Sequence, residues 1–188
     1  SGTVTLNVTA DVDATSANAG DTSALAVTAS NASAVVVNVS GEVNHSGTIT
    51  AGKATTATVV AGTERAQDIS LAVAKAETVS ITAGEGGTIA NTSDFTAAKT
   101  VTIDTSGALT NNEVLGAVNV LNLSGAGADA AYTSGAVLIG ATDLDYNITI
   151  NASGLDGGLD LSAGDVNAGN GSITIDASGM ATGNVNTG

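Results

Sequence analysis

No cysteine, proline or tryptophan occurs in this chain, and each absence closes off some chemistry. Without Cys there is no disulfide framework, thiol nucleophile or cysteine-based zinc site, and cysteine usage says nothing about compartment. Aromatic residues make up only 2% of the chain, as Phe95, Tyr132 and Tyr146, so the flat ring faces on which sugars usually stack are scarce. Lys and Arg number 4 against 18 Asp and Glu, a formal charge of -14, and a chain so acidic repels nucleic acid and anionic membrane surfaces. It also has no apolar run of the roughly 20 residues that a membrane-spanning helix needs, so membrane insertion is not expected. His45 is the only histidine. Its surroundings, Val43-Asn44-His45-Ser46-Gly47, do not resemble a nucleophile elbow, and it reads as an exposed turn residue.

What is present is small and strand-prone. Of 188 residues 43% are apolar, mostly Ala and Val with some Leu and Ile, a set that fills a narrow interior between close-lying strands better than the wide core of a globular enzyme. Thr favours strands, whereas Asn, Asp and the 24 Gly favour tight turns. Disorder is the competing reading of so biased a chain. Charged residues are only 12% and mean hydropathy is positive, which is opposite to the disordered signature.

Short apolar/polar alternations ending in Gly or Asn recur along the chain, as half-buried strands would. Examples are Val4-Thr5-Leu6-Asn7-Val8-Thr9, Val35-Val36-Val37-Asn38-Val39-Ser40, Thr78-Val79-Ser80-Ile81-Thr82 and Val118-Asn119-Val120-Leu121-Asn122-Leu123. Near the C-terminus the unit becomes an explicit repeat. Ile148-Thr149-Ile150-Asn151-Ala152-Ser153-Gly154-Leu155 returns at a shift of 25 as Ile173-Thr174-Ile175-Asp176-Ala177-Ser178-Gly179-Met180. A weaker copy starts at Val101, and the strand centres Ile81, Ile103, Leu121, Ile150 and Ile175 are spaced by 22, 18, 29 and 25. A loose period of about 20 to 30 residues marks units that cannot bury an apolar face alone and must stack on their neighbours. The expected fold is all-β, a parallel β-helix or solenoid of short stacked strands, with an antiparallel β-sandwich as the alternative. Residues 1–188 read as a single repetitive segment of a longer secreted protein. The stretch from Ala61 to Lys75 is the least regular, and one or two helical turns are expected there.

Asn147-Ile-Thr-Ile-Asn-Ala-Ser-Gly-Leu-Asp-Gly-Gly-Leu-Asp-Leu-Ser-Ala-Gly164 and the later Ile-Thr-Ile-Asp-Ala-Ser-Gly179 resemble the repeats of Gram-negative S-layer proteins and large RTX-type adhesins. The resemblance implies an extracellular bacterial cell-surface location, type I secretion, calcium-linked folding and self-assembly. The RTX nonapeptide is present in eroded form as Ser124-Gly125-Ala126-Gly127-Ala128-Asp129, with Ser in place of the first Gly.

Acids thicken toward the C-terminus, and calcium takes six to eight oxygens from carboxylates, carbonyls and water. The candidate calcium ligands are therefore Asp129, Asp143, Asp145, Asp156, Asp160 and Asp165; Asp176 belongs to the same stretch. Ordinary turn formation is the other reading of each, because Asp tolerates turn geometry. No catalytic residue is assigned. A carbohydrate-active β-helix enzyme would use paired carboxylates, but the lack of aromatic faces argues against it. Thr-x-Thr pairs at Thr3/Thr5, Thr48/Thr50, Thr56/Thr58 and Thr100/Thr102 read either as outward strand threonines or as a flat array of the kind an ice-binding solenoid uses. The functional expectation is a non-enzymatic, self-assembling structural module of a surface layer, with calcium as the candidate cofactor. Its expected partners are copies of itself, flanking domains or cell-surface polysaccharide. A stalk or ligand-binding segment of a repeat adhesin is the alternative. Lys53, Arg65, Lys75 and Lys99 hold all the positive charge, an asymmetry that arises from scarcity of basic residues or from pairing between neighbouring molecules.

Overall fold

In a computed structural model the described residues are 2–9, 22–23, 26–40, 44–45, 48–61, 67–135, 138–140, 147–180 and 185–186. Among them every strand pairing is parallel and no helix occurs. The chain winds as a β-solenoid with three faces, and the antiparallel sandwich is excluded, since a hairpin-built sheet would pair its strands head to tail.

The long face is an eight-stranded sheet of Thr3–Thr9, Ala34–Ser40, Thr56–Ala61, Thr78–Ala83, Thr100–Thr105, Val120–Gly125, Ile148–Leu155 and Ile173–Asp176, stacked in sequence order. The second face stacks Gln67–Ile69, Gly87–Ile89, Ala108–Asn111, Ala131–Ser134, Leu159–Asp160 and Val185–Asn186. The third face carries Val27–Thr28, Ile49–Thr50 and Leu71–Ala72, extends through an Ala72–Asp94 bridge, and has a further pair, Leu138–Gly140 with Asp165–Asn167. At the ordinary strand spacing of about 4.8 Å, eight strands make a stack on the order of 35–40 Å high.

Register follows the side-chain period of two. The partners Thr3, Ala34, Thr56, Thr78, Thr100, Val120, Thr149 and Thr174 are offset by 31, 22, 22, 22, 20, 29 and 25 residues. Alternate residues point inward and form unbroken columns, one of them Val35, Ala57, Val79, Val101, Leu121 and Ile150, all buried. The next column is Val37, Val59, Ile81, Ile103 and Leu123. Opposite them lie Ile69, Ile89, Leu109, Tyr132 and Leu159 from the second face, with Ile49, Leu71 and Ile139 from the third. Each such side chain contributes on the order of 1.5–3 kcal/mol when fully buried, so the column is what holds the turns together.

One corner repeats closely. A backbone hydrogen bond spanning three residues closes a turn at Ala29–Ala32, Ala51–Ala54, Val73–Ala76, Phe95–Ala98 and Leu115–Val118. The residue after each turn then extends a ladder, in which Thr55 N donates to Ser33 O, Glu77 N to Thr55 O, Lys99 N to Glu77 O and Asn119 N to Lys99 O. A small buried residue at the fourth position, usually Ala, lets the chain turn tightly against the core.

Two expectations change here. The Ala61–Lys75 stretch holds no helix among its described residues; it contributes the strands Gln67–Ile69 and Leu71–Ala72. Ile69 packs inward from the second face and Leu71 from the third, with Ser70 buried at the corner between them. Leu121 stacks on Val101 instead of on Ile103, whose partner is Leu123, because the turn between those strands is 20 residues long. The 25-residue repeat is in register as written, with Ile148 on Ile173 and Ile150 on Ile175.

Candidate functional site

The candidate aspartates fall at different places. Asp129 lies in the exposed turn after Val120–Gly125, and Asp156 lies in the equivalent turn of the next layer. That corner is stitched across layers: Gly127 N donates to Asp156 Oδ2 at 2.9 Å, and Asp156 N donates to Gly125 O at 2.9 Å. The eroded nonapeptide therefore spans a strand end and this turn, where Gly127 takes φ of 98°. Asp160 sits on the second face, and Asp165 on the third, paired with Leu138. Asp143 and Asp145 lie outside the described residues. Among the described residues no three acidic or His side chains gather closely enough to hold a metal ion.

Several acids and amides instead build local turns. Asp160 Oδ1 accepts from Ser162 Oγ at 2.6 Å and from Ser162 N at 2.9 Å. These bonds, the hydroxyl's first, hold the Asp160 carboxyl below its ordinary range. Asp176 is lowered in the same way by the Ser178 side chain and N–H, the latter at 3.0 Å. Asn167 Oδ1 accepts from Gly169 N at 2.8 Å. A short polar side chain that accepts from the residue two positions on replaces a backbone turn bond, which is why Asp-x-Ser and Asn-x-Gly recur where the chain changes face.

The outward rows of the long face form a second surface. One row runs Thr3, Ala34, Thr56, Thr78, Thr100, Val120, Thr149, Thr174, and the next runs Thr5, Val36, Thr58, Ser80, Thr102, Asn122, Asn151, Asp176. The Thr3/Thr5, Thr56/Thr58 and Thr100/Thr102 pairs thus lie in register on one face. Thr48 and Thr50 do not: Thr50 belongs to the third face, and Thr48 joins a hydroxyl ladder with Ser70 and Thr92, each contact 2.9 Å. Aliphatic and amide residues interrupt the hydroxyl rows, and the amides bond along the stack, Asn38 Nδ2 to Asn7 Oδ1 at 2.8 Å and Asn151 Nδ2 to Asn122 Oδ1 at 2.7 Å.

A buried polar group escapes the sequence reading altogether. Asn111, Glu113, Tyr132 and Ser134 are at most 5% exposed, with Asn111 stacked between Ile89 and Ser134 in an inward column. Burial, foremost, lifts the Glu113 carboxyl to about 7, with Asp94 adding repulsion and the Phe95 backbone opposing both. Burial also pushes the Tyr132 phenol well above its ordinary value. Asn111 tempers that shift without reaching hydrogen-bonding geometry, so the hydroxyl has no partner among the described residues. Asn-Asn-Glu reads locally as a solvated turn, and only the register of the second face carries it inside. His45 belongs to the short strand Asn44–His45, paired with Thr22–Ser23.

The fold and surfaces define the chain as a three-faced parallel β-solenoid. No family model, curated protein or solved structure matches it.

Proposed function

We propose that this chain is a non-enzymatic structural module of an extracellular bacterial surface layer, one that spaces and self-associates. The observation that carries the reading is the regular stacking itself: successive turns of 20 to 31 residues repeat the same strand positions. Such a stack grows in length without needing a wider core. The likeness of its C-terminal repeats to S-layer and RTX-type sequences supports the location. Calcium belongs to the proposal as a stabiliser of the corner whose successive turns carry Asp129 and Asp156, acting by preferential binding to the folded state.

Thermal unfolding followed by far-UV circular dichroism, with light scattering on the same samples in millimolar calcium or EDTA, tests this. A higher melting temperature and ordered assembly in calcium support the surface-layer reading. A melt that ignores calcium, from a chain that does not assemble, leaves the stalk of a repeat adhesin as the better account.

A further inference from the structure

We propose that the long face is a docking surface for a second copy of this chain, the two faces packing about a two-fold axis parallel to the solenoid axis. The inference rests on the self-association in the functional reading above and specifies the surface and symmetry that would carry it.

The first observation is charge. The chain carries -14 overall, yet the described outward positions of the long face hold only two charged residues, Asp104 and Asp176. Charge is therefore sparse among the described residues of this face, and like-charge repulsion between two copies meeting there is weak.

The second is the sign of the two borders. The strands Thr78–Ala83, Thr100–Thr105 and Val120–Gly125 each leave a corner turn on one side and enter another on the far side. The near corner carries the described cations together with exposed Glu77, and so is net positive: Lys53 and Lys75 occupy the same position of successive turns, and Lys99 follows one layer on. Lys53 donates to Asn31 Oδ1 at 2.9 Å, and Lys99 lies 3.6 Å from Glu77. The far border carries exposed Glu85, Asp104 and Asp129. A two-fold axis along the stack reverses strand direction across the contact while keeping layers level. It therefore brings Lys75 of one copy to Glu85 of the other, both flanking the strand Thr78–Ala83. An axis along the strands would set cations against cations. Charge complementarity thus selects one of the two ways the faces can meet.

The third is area. Eight strands at about 4.8 Å and some six residues at about 3.3 Å outline roughly 700 Å² per copy, or about 1,400 Å² in total. That lies within the range of specific interfaces. Ser80, midway along its strand, faces its own counterpart across the axis. Threonine methyls with Ala34, Val36, Val60 and Val120 supply the apolar contact.

Sedimentation equilibrium of the full chain in EDTA, across a micromolar concentration series, is the test. Dimers are expected without calcium, so the result is separable from the calcium response above. Ser80→Arg sets two cations face to face and should weaken dimerisation at least tenfold, with the circular dichroism spectrum retained. Lys75→Glu should weaken it several-fold, and the Lys75→Glu/Glu85→Lys double variant should restore it. A chain that stays monomeric throughout overturns the proposal. So does one that assembles but ignores Ser80→Arg and the charge reversal, and in that case the self-association reading stands while this face is wrong.

Discussion

The Asn111 side chain spans the backbone of Glu113, its Nδ2 donating to Glu113 O at 3.0 Å while its Oδ1 accepts from Glu113 N at 3.1 Å. This brace turns the chain inward at the end of Ala108–Asn111 and leaves Glu113 5% exposed.

Glu113 should make stability fall as pH rises. Its folded pKa of about 7 lies above the ordinary 4.5, so between those values the native state binds the extra proton. The stabilisation is complete below pH 4.5 and lost by the time pH passes 7. The loss is on the order of 2–3 kcal/mol. Denaturant unfolding at pH 5 and pH 8 should show that fall, and Glu113→Gln should flatten it. An unchanged slope in the variant would show that the carboxyl is hydrated in the folded state.

Tyr132→Phe should be neutral or stabilising by up to about 1 kcal/mol, because it deletes a buried hydroxyl that has no partner among the described residues and keeps the ring that fills the column. A melting temperature several degrees below that of the parent would mean that the hydroxyl is hydrogen-bonded.

Gly86 has φ of 84°, and a Cβ there would stand 2.3 Å from Ala108 O in the next layer. Gly86→Ala should cost on the order of 2 kcal/mol or more, since both the backbone conformation and the layer spacing resist it. Gly52, with nothing within 4 Å of a built Cβ, is the control. Gly52→Ala should change stability by less than about 0.5 kcal/mol.

Leu121→Ala should cost about 2–5 kcal/mol. The residue is fully buried between Val101 and Ile150, and stacked layers cannot close over a gap without breaking register. An Ala scan along this column read by urea unfolding checks it; a loss below 1 kcal/mol would mean that the layers relax.

The lowered carboxyls of Asp160 and Asp176 act with the opposite sign to Glu113. Their stabilisation is present above the ordinary carboxylate pKa and is lost as pH falls through the folded values. As a turn former, Asp160→Asn should leave any calcium response intact, whereas the Asp129→Asn/Asp156→Asn pair should reduce it. A calcium titration of the melting temperature distinguishes the two sets, and a response abolished by Asp160→Asn alone would reassign the cation to that turn.

The class of fold is legible in the residues alone, because alternation and repeat are local. Val-x-Val and Ile-x-Ile place their branched side chains on one side of a strand wherever it is, and a face that narrow is buried only by stacking. The 25-residue copy at Ile148 and Ile173 was readable to the residue. The number of faces was not, because strands of two or three residues, such as Leu71–Ala72 and Leu159–Asp160, are too short to show a period. Nor was the register at Leu121, which depends on how many residues each turn takes to come round. Only the tertiary structure brought Asp129 and Asp156 to one corner and sent Asp160 and Asp165 to two other faces. It also buried Glu113 and Asn111, set Lys53 above Lys75, and ranked the threonines in rows, for these are relations between layers that the chain reaches only after a full turn.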